Sequence, residues 1–420
     1  MSGSSTTIHG SRSLLVFVAA QALLATACTA AWFIYPTEDR SLGQPVLLNE
    51  PVQVNPQYNV PDVVTDEQLS RVLGKLRPRF KQMQPKINHV DHALRCWGAD
   101  VEFEDPRCIS GNEMRRLLAD HQAFQAAWGV KTRPLLLAKD HGVAVRTQQG
   151  DASASHVDHT LATLAECGTP LDFPIRLAGG SATMRDVLSQ ALATFDINQH
   201  EYEWTVLALA LYARDGQPWF SAEGDRMDFN RLVHRVIRQR YGQGVCYGNH
   251  RLYSLTLLLR LNRDKQLLSQ AVRQELIDHL AEATRRLAAN QHADGYWDRN
   301  WHDLKVPAND EDMALGGPLS RRILATGHAL EWWAMVPQEH QSELLPDQAV
   351  IVKAAHWLVS EIEKMDEKAI DANYTFLSHA GRALALWRGT VPALVAIPGR
   401  QSPITSGASE SPKQFIEEQP

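Results

Sequence analysis

The sequence lacks any concentration of basic residues, which excludes one broad class of function. Its 42 Lys and Arg residues are scattered along the chain and are outnumbered by 48 Asp and Glu residues, for a net charge of -6. A nucleic-acid-binding surface needs clustered positive charge. We therefore expect no nucleic-acid partner. The length of 420 residues fits two or three average domains or one large helical domain.

Cysteine is scarce, and common zinc-binding spacings are missing. The five cysteines form no Cys-x-x-Cys pair, and the chain has no His-Glu-x-x-His segment. Cys28 lies in an apolar run, and the other four would permit two disulfides in an oxidising compartment. Cys96 and Cys108 are the favoured pair because they are close in sequence, while the pairing of Cys167 and Cys246 stays open. The alternative is that all four are free core thiols.

Only one long apolar run is present, from Leu14 to Tyr35. Its 22 residues carry no charge, and Gln21 is its one strongly polar side chain. This length suits a transmembrane helix, and Trp32 near its end fits an interfacial aromatic belt. Pro36 ends the run. Arg12 favours a cytoplasmic N-terminus, so that most of the chain would lie on the extracytoplasmic, periplasmic side.

A cleaved signal peptide is the alternative for this segment. Ala25-Thr26-Ala27-Cys28 would serve as a lipoprotein cleavage site, but the apolar run continues seven residues past Cys28, which a signal peptide does not need. We therefore predict an uncleaved anchor. The predicted divisions are a cytoplasmic tail, an anchor, an extended linker, a helical domain and a disordered C-terminal tail: 1–13, 14–35, 36–64, 65–388 and 389–420.

Two kinds of helix alternate between the linker and the tail. The first kind is amphipathic, as in Phe229, Leu232, Val233, Val236 and Ile237, which follow a helical period with arginines between them. Such helices are predicted near 66–81, 111–127, 181–195, 229–237, 268–290 and 348–364. The second kind is apolar nearly all round and must be buried on every side. These helices are predicted at 89–97, 156–167, 204–213, 252–261, 329–336 and 383–387.

The alternation repeats six times and predicts a closed all-α ring. A histidine stands at or near the start of each apolar segment, at His92, His159, His200, His250, His328 and His379. The intervals between these histidines are 67, 41, 50, 78 and 51 residues. Repeats of helix pairs at such spacing form open solenoids or closed rings. Because apolar inner helices do not suit an exposed concave face, we predict an (α/α)6 barrel, or toroid.

The two longest connections, 128–155 and 291–317, both precede an inner helix and should lie at one mouth of the ring. Within the first, Leu135–Leu137 and Val143–Val145 flank a glycine-containing turn and predict a small hairpin. Long loops on a rigid scaffold are common binding elements. His141, in the turn of this hairpin, is therefore a predicted binding residue.

The parallel inner helices would gather their N-termini, and with them the histidines, at this mouth. Partial positive charge at a helix N-terminus favours anionic groups and a neutral imidazole. We predict that His328 and His379 form an acid/base pair and that Glu331, one turn after His328, orients it. Alanine at either histidine should then cost no more than about 1 kcal/mol of stability, because mouth residues support little packing.

Further residues of the predicted site would bind the substrate. Arg382, three residues after His379, would hold a carboxylate, phosphate or sugar hydroxyl. The remaining predicted binding residues are the other histidines and some residues beside them: His92, His159, His200, His250, Glu201, Arg251 and Trp332. The alternative for each histidine is a capping or gap-filling role. We expect no cofactor, and the alternative is a divalent metal at His89/His92 or His156/His159.

One segment resembles the terpenoid cyclase and prenyltransferase toroids. Gln291-His-Ala-Asp294-Gly295-Tyr-Trp297 is similar to their Q-x3-G-x-W repeat, in which Gln and Trp stiffen the turn after an outer helix. The Asp-x-Asp-Asp of squalene-type cyclases and the Asp-rich diphosphate motif of terpene synthases are absent. The resemblance covers one repeat and implies the fold rather than cyclisation.

Two other segments resemble the N-acylglucosamine 2-epimerase and mannose isomerase group. Gly327-His328-x-x-Glu331-Trp332 is similar to that group's Gly-His-x-x-Glu segment, and His379-x-x-Arg382-Ala383 is similar to its His-x-x-Arg-Ala segment. The resemblance would make His328 and His379 a proton-transfer pair. This chain departs from the group in placing the two only 51 residues apart.

These observations lead to three hypotheses about function. The first is a membrane-anchored toroid that binds a carbohydrate or similar polar ligand and isomerises, epimerises or cleaves it. The second is a non-catalytic binding or scaffold module of the cell envelope. The third, a terpenoid or prenyl-lipid enzyme, follows only from the Gln/Trp repeat. The residues lining the centre of the ring would discriminate among them.

Overall fold

The computed structural model describes residues 9–34, 45–81, 84–199, 201–306 and 317–396. These residues form seventeen helices and three two-stranded antiparallel hairpins, which confirms the predicted all-α class. The helices are α1 (His9–Ile34), α2 (Asp66–Lys75), α3 (Ile87–Trp97), α4 (Gly111–Ala119), α5 (His121–Trp128), α6 (His159–Glu166), α7 (Met184–Ala193), α8 (Glu203–Tyr212), α9 (Phe229–Ile237), α10 (Asn249–Lys265), α11 (Gln270–Ala289), α12 (Pro318–Ala334), α13 (Gln341–Leu344), α14 (Gln348–Lys364), α15 (Glu367–Ala372), α16 (Tyr374–Trp387) and α17 (Pro392–Ala396). The strands are β1 (Leu136–Lys139), β2 (Gly142–Val145), β3 (Pro174–Leu177), β4 (Gly180–Thr183), β5 (Trp219–Phe220) and β6 (Arg226–Met227).

The chain divides into two compact units, residues 1–44 and residues 45–420. In the first unit, α1 covers most of the predicted anchor and exposes apolar side chains such as Leu15, Phe17 and Leu23. Within the part of the chain that the structure describes, no helix combines the length and the apolar character that crossing a bilayer requires. The anchor therefore stays a prediction.

Six helices of the second unit form a ring of successive contacts. Helix α3 contacts α6, α6 contacts α8, α8 contacts α10, α10 contacts α12, α12 contacts α16, and α16 returns to α3. These are the helices predicted to be apolar all round. In α8 every residue from Glu203 to Tyr212 is buried, as full enclosure requires.

Amphipathic helices pack outside this ring, as their sequence period predicts. In α9, Asp228 caps the first turn by accepting a hydrogen bond from the backbone N–H of Arg231, and the buried face is formed by Phe229, Leu232 and Val233. Helix α11 contacts α9 and α10, and α14 contacts α2, α12 and α16. The segment predicted as one helix at 111–127 is two helices, because the Asp120 side chain caps a new start.

The predicted linker does not stand apart from the helical body. Its described part, residues 45–64, is extended and packs across the ends of inner helices. The Tyr58 hydroxyl donates to the Val336 carbonyl at 2.8 Å, and the Val60 N–H donates to the Trp387 carbonyl at 2.8 Å. The segment thus satisfies carbonyls at the C-terminal ends of α12 and α16, which would otherwise lack partners.

The predicted disordered tail begins at residue 389, yet part of it is helical. Helix α17 contacts α2, α3 and α16, so the ordered body extends to at least this helix. Residues 397–420 of the predicted tail lie outside the described residues.

The predicted disulfide between Cys96 and Cys108 is wrong. Both are free, buried thiols, and Cys167 and Cys246 are free as well among the cysteines that the structure describes. Cys96 lies inside α3, where burial raises the pKa of its thiol to about 12. Proximity in sequence favoured the pair, but the helix directs Cys96 into the core.

Candidate functional site

Five of the six histidines that were predicted to share one surface meet inside the ring. They are His92, His159, His250, His328 and His379, each at most 4% exposed. The ring centroids of His92 and His159 are 4.4 Å apart, and those of His328 and His379 are 3.8 Å apart. His200 lies outside the described residues. We call this group the histidine cluster.

The cluster does not form wholly at helix N-termini. His159 and His250 lie in the first turns of α6 and α10, as predicted, but His328 and His379 lie in the middle of α12 and α16. Helix α12 begins at Pro318, well before the predicted start. Burial, rather than a helix terminus, therefore favours the neutral imidazoles: it lowers the pKa of His328 to about 4 and that of His379 well below its usual value.

Small residues allow the two central helices to approach closely. A Cβ atom on Gly327 would lie 3.1 Å from the backbone nitrogen of Ala380, tighter than most contacts of that atom. Each of these small residues neighbours a cluster histidine in sequence. The close approach of α12 and α16 is what brings the rings of His328 and His379 together.

Glu331 orients His379, not His328 as predicted. Nδ1 of His379 donates to Oε2 of Glu331 at 2.7 Å, whereas Nδ1 of His328 donates to the Leu324 carbonyl at 2.8 Å in its own helix. Arg95 also lies 3.2 Å from Nδ1 of His379, but a nitrogen that donates its proton to a carboxylate cannot accept from a guanidinium. The Nε2 atom of His379 is buried and has no hydrogen-bond partner among the described residues.

A cycle of four buried ions lies one helical turn beyond the histidines. Arg95 contacts Glu166 at 2.5 Å and Glu331 at 2.8 Å, and Arg382 contacts Glu331 at 2.6 Å and Glu166 at 3.1 Å. Burial alone would raise the pKa of Glu331, but Arg95 and Arg382 outweigh it and hold that pKa below its usual value. Arg382, predicted to hold a carboxylate, phosphate or sugar hydroxyl of the substrate, is thus engaged by the protein's own carboxylates.

Sequence reasoning missed three residues of this layer. They are Arg95, Glu166 and Tyr253, whose hydroxyl donates to Glu166 at 2.5 Å. A signal existed for two of them, because Arg95 follows His92 and Tyr253 follows His250 by three residues. Glu331 and Arg382 stand at the same offset from their histidines. An offset of three places side chains on one helical face, so the second layer repeats the first.

A cavity of about 600 Å³ opens beside the ion cycle. Arg95, Glu166 and Arg382 line it together with residues of the extended segment and of α17. It lies at the C-terminal ends of α3, α6 and α16, opposite the mouth where binding was predicted. Its charged lining suits a polar ligand better than the apolar tunnel expected of a lipid enzyme.

Two predicted binding residues hold parts of the site in place. Glu201 accepts from Nδ1 of His156 at 3.1 Å. Arg251 donates to Glu203 at 2.6 Å and to the carbonyl of Gln243 at 2.6 Å, which ties α10 to α8 and to the preceding loop. Arg251 therefore supports the loop rather than facing the cluster.

The two remaining predicted residues differ in their exposure. Trp332 is fully buried in the core, where its ring lies 5.4 Å from that of Trp333. His141 is exposed in the turn between β1 and β2, and the neighbouring Gly142 packs against Asp186 of the outer helix α7. The hairpin was predicted correctly, but it covers an outer helix. The binding role of His141 stays a prediction.

The loop before α10 has an unusual backbone. Cys246 and Tyr247 have φ values of 49° and 57°, a region that costs non-glycine residues about 1–3 kcal/mol each. Neighbouring groups hold the loop: Nδ2 of Asn249 donates to the Cys246 carbonyl at 2.9 Å, and Nε1 of Trp301 donates to the Tyr247 carbonyl at 3.0 Å. The conformation is thus imposed by several independent contacts.

This loop brings a thiol to the histidine cluster. A ligand atom from each of Cys246, His250 and His328 lies within 4.8 Å of the other two. The Nε2 atoms of the two histidines are 3.1 Å apart. Neither histidine pair proposed as a metal site from sequence forms such a group within the described residues, and His89 packs instead on Phe80, at 5.8 Å.

The Gln/Trp segment forms hydrogen bonds within and around its turn. Nε2 of Gln291 donates to the carbonyls of Gly295 and Val350, each at 2.9 Å, and Nε1 of Trp297 donates to the Leu287 carbonyl at 2.8 Å. These bonds brace the turn that follows the outer helix α11. No protein-family model, curated protein or solved structure matches the chain.

Proposed function

We propose that the chain is an (α/α)6 toroid that performs acid–base chemistry on a polar, carbohydrate-like substrate, with His379 as the base. The hydrogen bond between Glu331 and His379 carries this proposal. It fixes the neutral imidazole with its proton on Nδ1 and leaves Nε2 without a partner among the described residues. A base oriented by a carboxylate is a recurring catalytic arrangement.

The ion cycle supports this assignment. A base that accepts a proton becomes an imidazolium, and a neighbouring carboxylate stabilises that charge only if it is itself ionised. Arg95 and Arg382 hold the pKa of Glu331 low. In the proposed step, Nε2 of His379 takes a proton from a carbon next to a carbonyl, the electron pair passes to the carbonyl oxygen to give an enolate, and Glu331 stabilises the charged ring.

The contacts among the inner helices support the proposed toroid fold. An (α/α)6 barrel requires an inner ring of six helices and an outer ring of helices around it. The six inner helices contact one another in a cycle, and amphipathic helices pack outside them. The braced turn after α11 adds the feature shared with the terpenoid cyclase and prenyltransferase toroids.

We further propose that α1 anchors the toroid to a membrane on its extracytoplasmic side, since Leu15, Phe17 and Leu23 are exposed apolar side chains.

A non-catalytic scaffold is the second candidate, and one observation favours it. The cluster histidines are buried, and His328 packs on His379 with a centroid separation of 3.8 Å. Such packing also stabilises a closed structural centre. The two candidates differ in what they expect of His379, because a scaffold needs its shape and not its proton exchange.

Exchange of substrate hydrogen for deuterium tests the proposal whichever product the reaction forms. The full chain is incubated in D₂O with a panel of aldoses, ketoses and N-acetylated sugars, and exchange at carbons beside the carbonyl is followed by NMR. We expect the parent protein and His279→Gln to exchange at least one sugar, and His379→Gln to lose exchange while keeping its circular dichroism spectrum. No exchange by the parent, or equal exchange by His379→Gln, would leave the scaffold as the better account.

A further inference from the structure

We propose that Cys246, His250 and His328 form a binding site for a divalent transition-metal ion, with zinc as the best match. The inference goes beyond the proposed function, because the site could bind metal whether or not His379 acts as a base. Thiolate and imidazole are the ligands that zinc prefers.

The spacing of the two imidazoles fits one shared ion. Their Nε2 atoms are 3.1 Å apart. Zinc–nitrogen bonds of about 2.0–2.1 Å at a tetrahedral angle place two nitrogens about 3.3 Å apart. The Cys246 sulfur lies within 4.8 Å of a ring nitrogen of each histidine, so an inward shift of about 1 Å would complete three ligands.

His328 is already oriented as a ligand. Its Nδ1 donates to the Leu324 carbonyl at 2.8 Å, which leaves a lone pair on Nε2 facing His250. Metal-binding histidines commonly donate their other ring N–H to a carbonyl or carboxylate in this way. The geometry of His328 therefore does not need to change when an ion binds.

The unusual loop gives independent support. Two consecutive non-glycine residues in the left-handed region deliver the Cys246 thiol between α10 and α12. The side chains of Asn249 and Trp301 donate hydrogen bonds to the backbone carbonyls of Cys246 and Tyr247 and so hold the loop in place. Backbone conformations of this kind cluster at functional sites, and here the loop positions a metal-binding side chain.

Binding requires a definite movement of protons. In the structure Nε2–H of His250 donates to Nε2 of His328. A metal ion replaces this hydrogen bond, so the His250 proton moves to Nδ1 and the Cys246 thiol releases its proton to solvent. One proton is released per ion bound. The three protein ligands leave a fourth position for water or substrate, as in catalytic zinc sites.

Metal binding by the chelator-treated full chain tests the proposal. Equilibrium dialysis with ZnCl₂ measures stoichiometry, and CoCl₂ reports a sulfur ligand through a thiolate-to-cobalt charge-transfer absorption. We expect one ion per chain, and a loss of affinity of more than about a hundredfold in Cys246→Ser and His328→Gln. Cys167→Ser, which alters another free thiol, should bind as the parent does.

A second measurement needs no variant and covers the case in which one fails to fold. Zinc should slow alkylation of Cys246 by iodoacetamide in the parent protein, read by peptide mass spectrometry, while alkylation of Cys167 is unchanged. The proposal is overturned if the parent binds no zinc or cobalt, if Cys246→Ser folds and binds like the parent, or if zinc leaves alkylation of Cys246 unaltered. None of these readouts uses activity, so they stand apart from the test of His379.

Discussion

Glu331 accepts a 2.7 Å hydrogen bond from His379 across two helices, while His328 in its own helix turns to the Leu324 backbone. The same carboxylate receives Arg95 and Arg382. One side chain thus joins the histidine cluster to the ion cycle. Its charge both orients a candidate base and balances two buried cations.

Glu331→Gln should lower the free energy of unfolding by about 3–5 kcal/mol, because two guanidinium groups would then face the single carboxylate of Glu166. Urea denaturation followed by circular dichroism measures this loss. Glu363→Gln is the matched control, since Glu363 pairs with Arg71 at 2.8 Å on the surface. The control should lose less than about 1 kcal/mol. Equal losses in the two variants would contradict a balanced buried cycle.

The buried position of the cluster changes one expectation drawn from sequence. Alanine at His328 or His379 was expected to leave stability nearly unaltered, but each side chain is only 2% exposed. Truncating a buried ring leaves a cavity, which costs stability. Variants that keep volume and polarity, such as His379→Gln, are therefore the informative ones for function.

Gly248→Ala should destabilise the chain more than Gly129→Ala. Both glycines have positive φ, 79° and 89°, a backbone conformation that costs alanine about 1–3 kcal/mol at each position. At Gly248 the added Cβ would also lie 2.5 Å from the Tyr241 carbonyl oxygen, whereas at Gly129 it would meet nothing within 4 Å. We expect a loss above about 3 kcal/mol at Gly248 by urea denaturation. Equal losses of unfolding free energy would show that the loop before α10 shifts at little cost to make room for the added methyl group.

The meeting of the histidines could be predicted from sequence because two patterns coincide: apolar helices recur along the chain, and a histidine recurs at or near the start of each of them. Helices that are apolar all round must be enclosed, and a polar residue at the same level of each must then face the same interior. His92, His159, His250, His328 and His379 follow that logic. The offset of three residues would also have pointed to Arg95 and Tyr253, had it been applied to every histidine.

The partners of those residues could not be anticipated. Spacing along one helix placed Glu331 beside His328, but the rotation of α12 against α16 decides which ring the carboxylate meets. The sequence also failed to predict that α12 begins at Pro318, because a charged residue such as Arg321 is typical of a surface position. It is buried, and its Nε lies 3.3 Å from Asp298. Pairing between distant segments is invisible to a local pattern.

Lys265→Met should lower the free energy of unfolding by about 3 kcal/mol. The ε-ammonium group donates to the carbonyls of Ala210, Leu211 and Ala213 at 2.7, 2.8 and 2.6 Å, and so closes the end of α8. Methionine keeps the stem but leaves these buried acceptors without that donor. Calorimetry should show a clear fall in Tm. Lys364→Met, which removes a surface pair with Glu361, should change Tm little.

Buried neutral histidines should make the fold less stable as the pH falls from 7 to 5. Burial, with Arg286 adding to it, lowers the pKa of His279 to about 4, below the ordinary value of 6.5. Between these values the unfolded chain binds more protons, so acid favours unfolding. His279→Gln should therefore shrink the loss of unfolding free energy between pH 7 and pH 5 by about 1–2 kcal/mol in urea titrations. His141→Gln, which alters an exposed histidine, is the control and should keep the parent's dependence. An unchanged dependence in His279→Gln would contradict a partly buried neutral ring at that position.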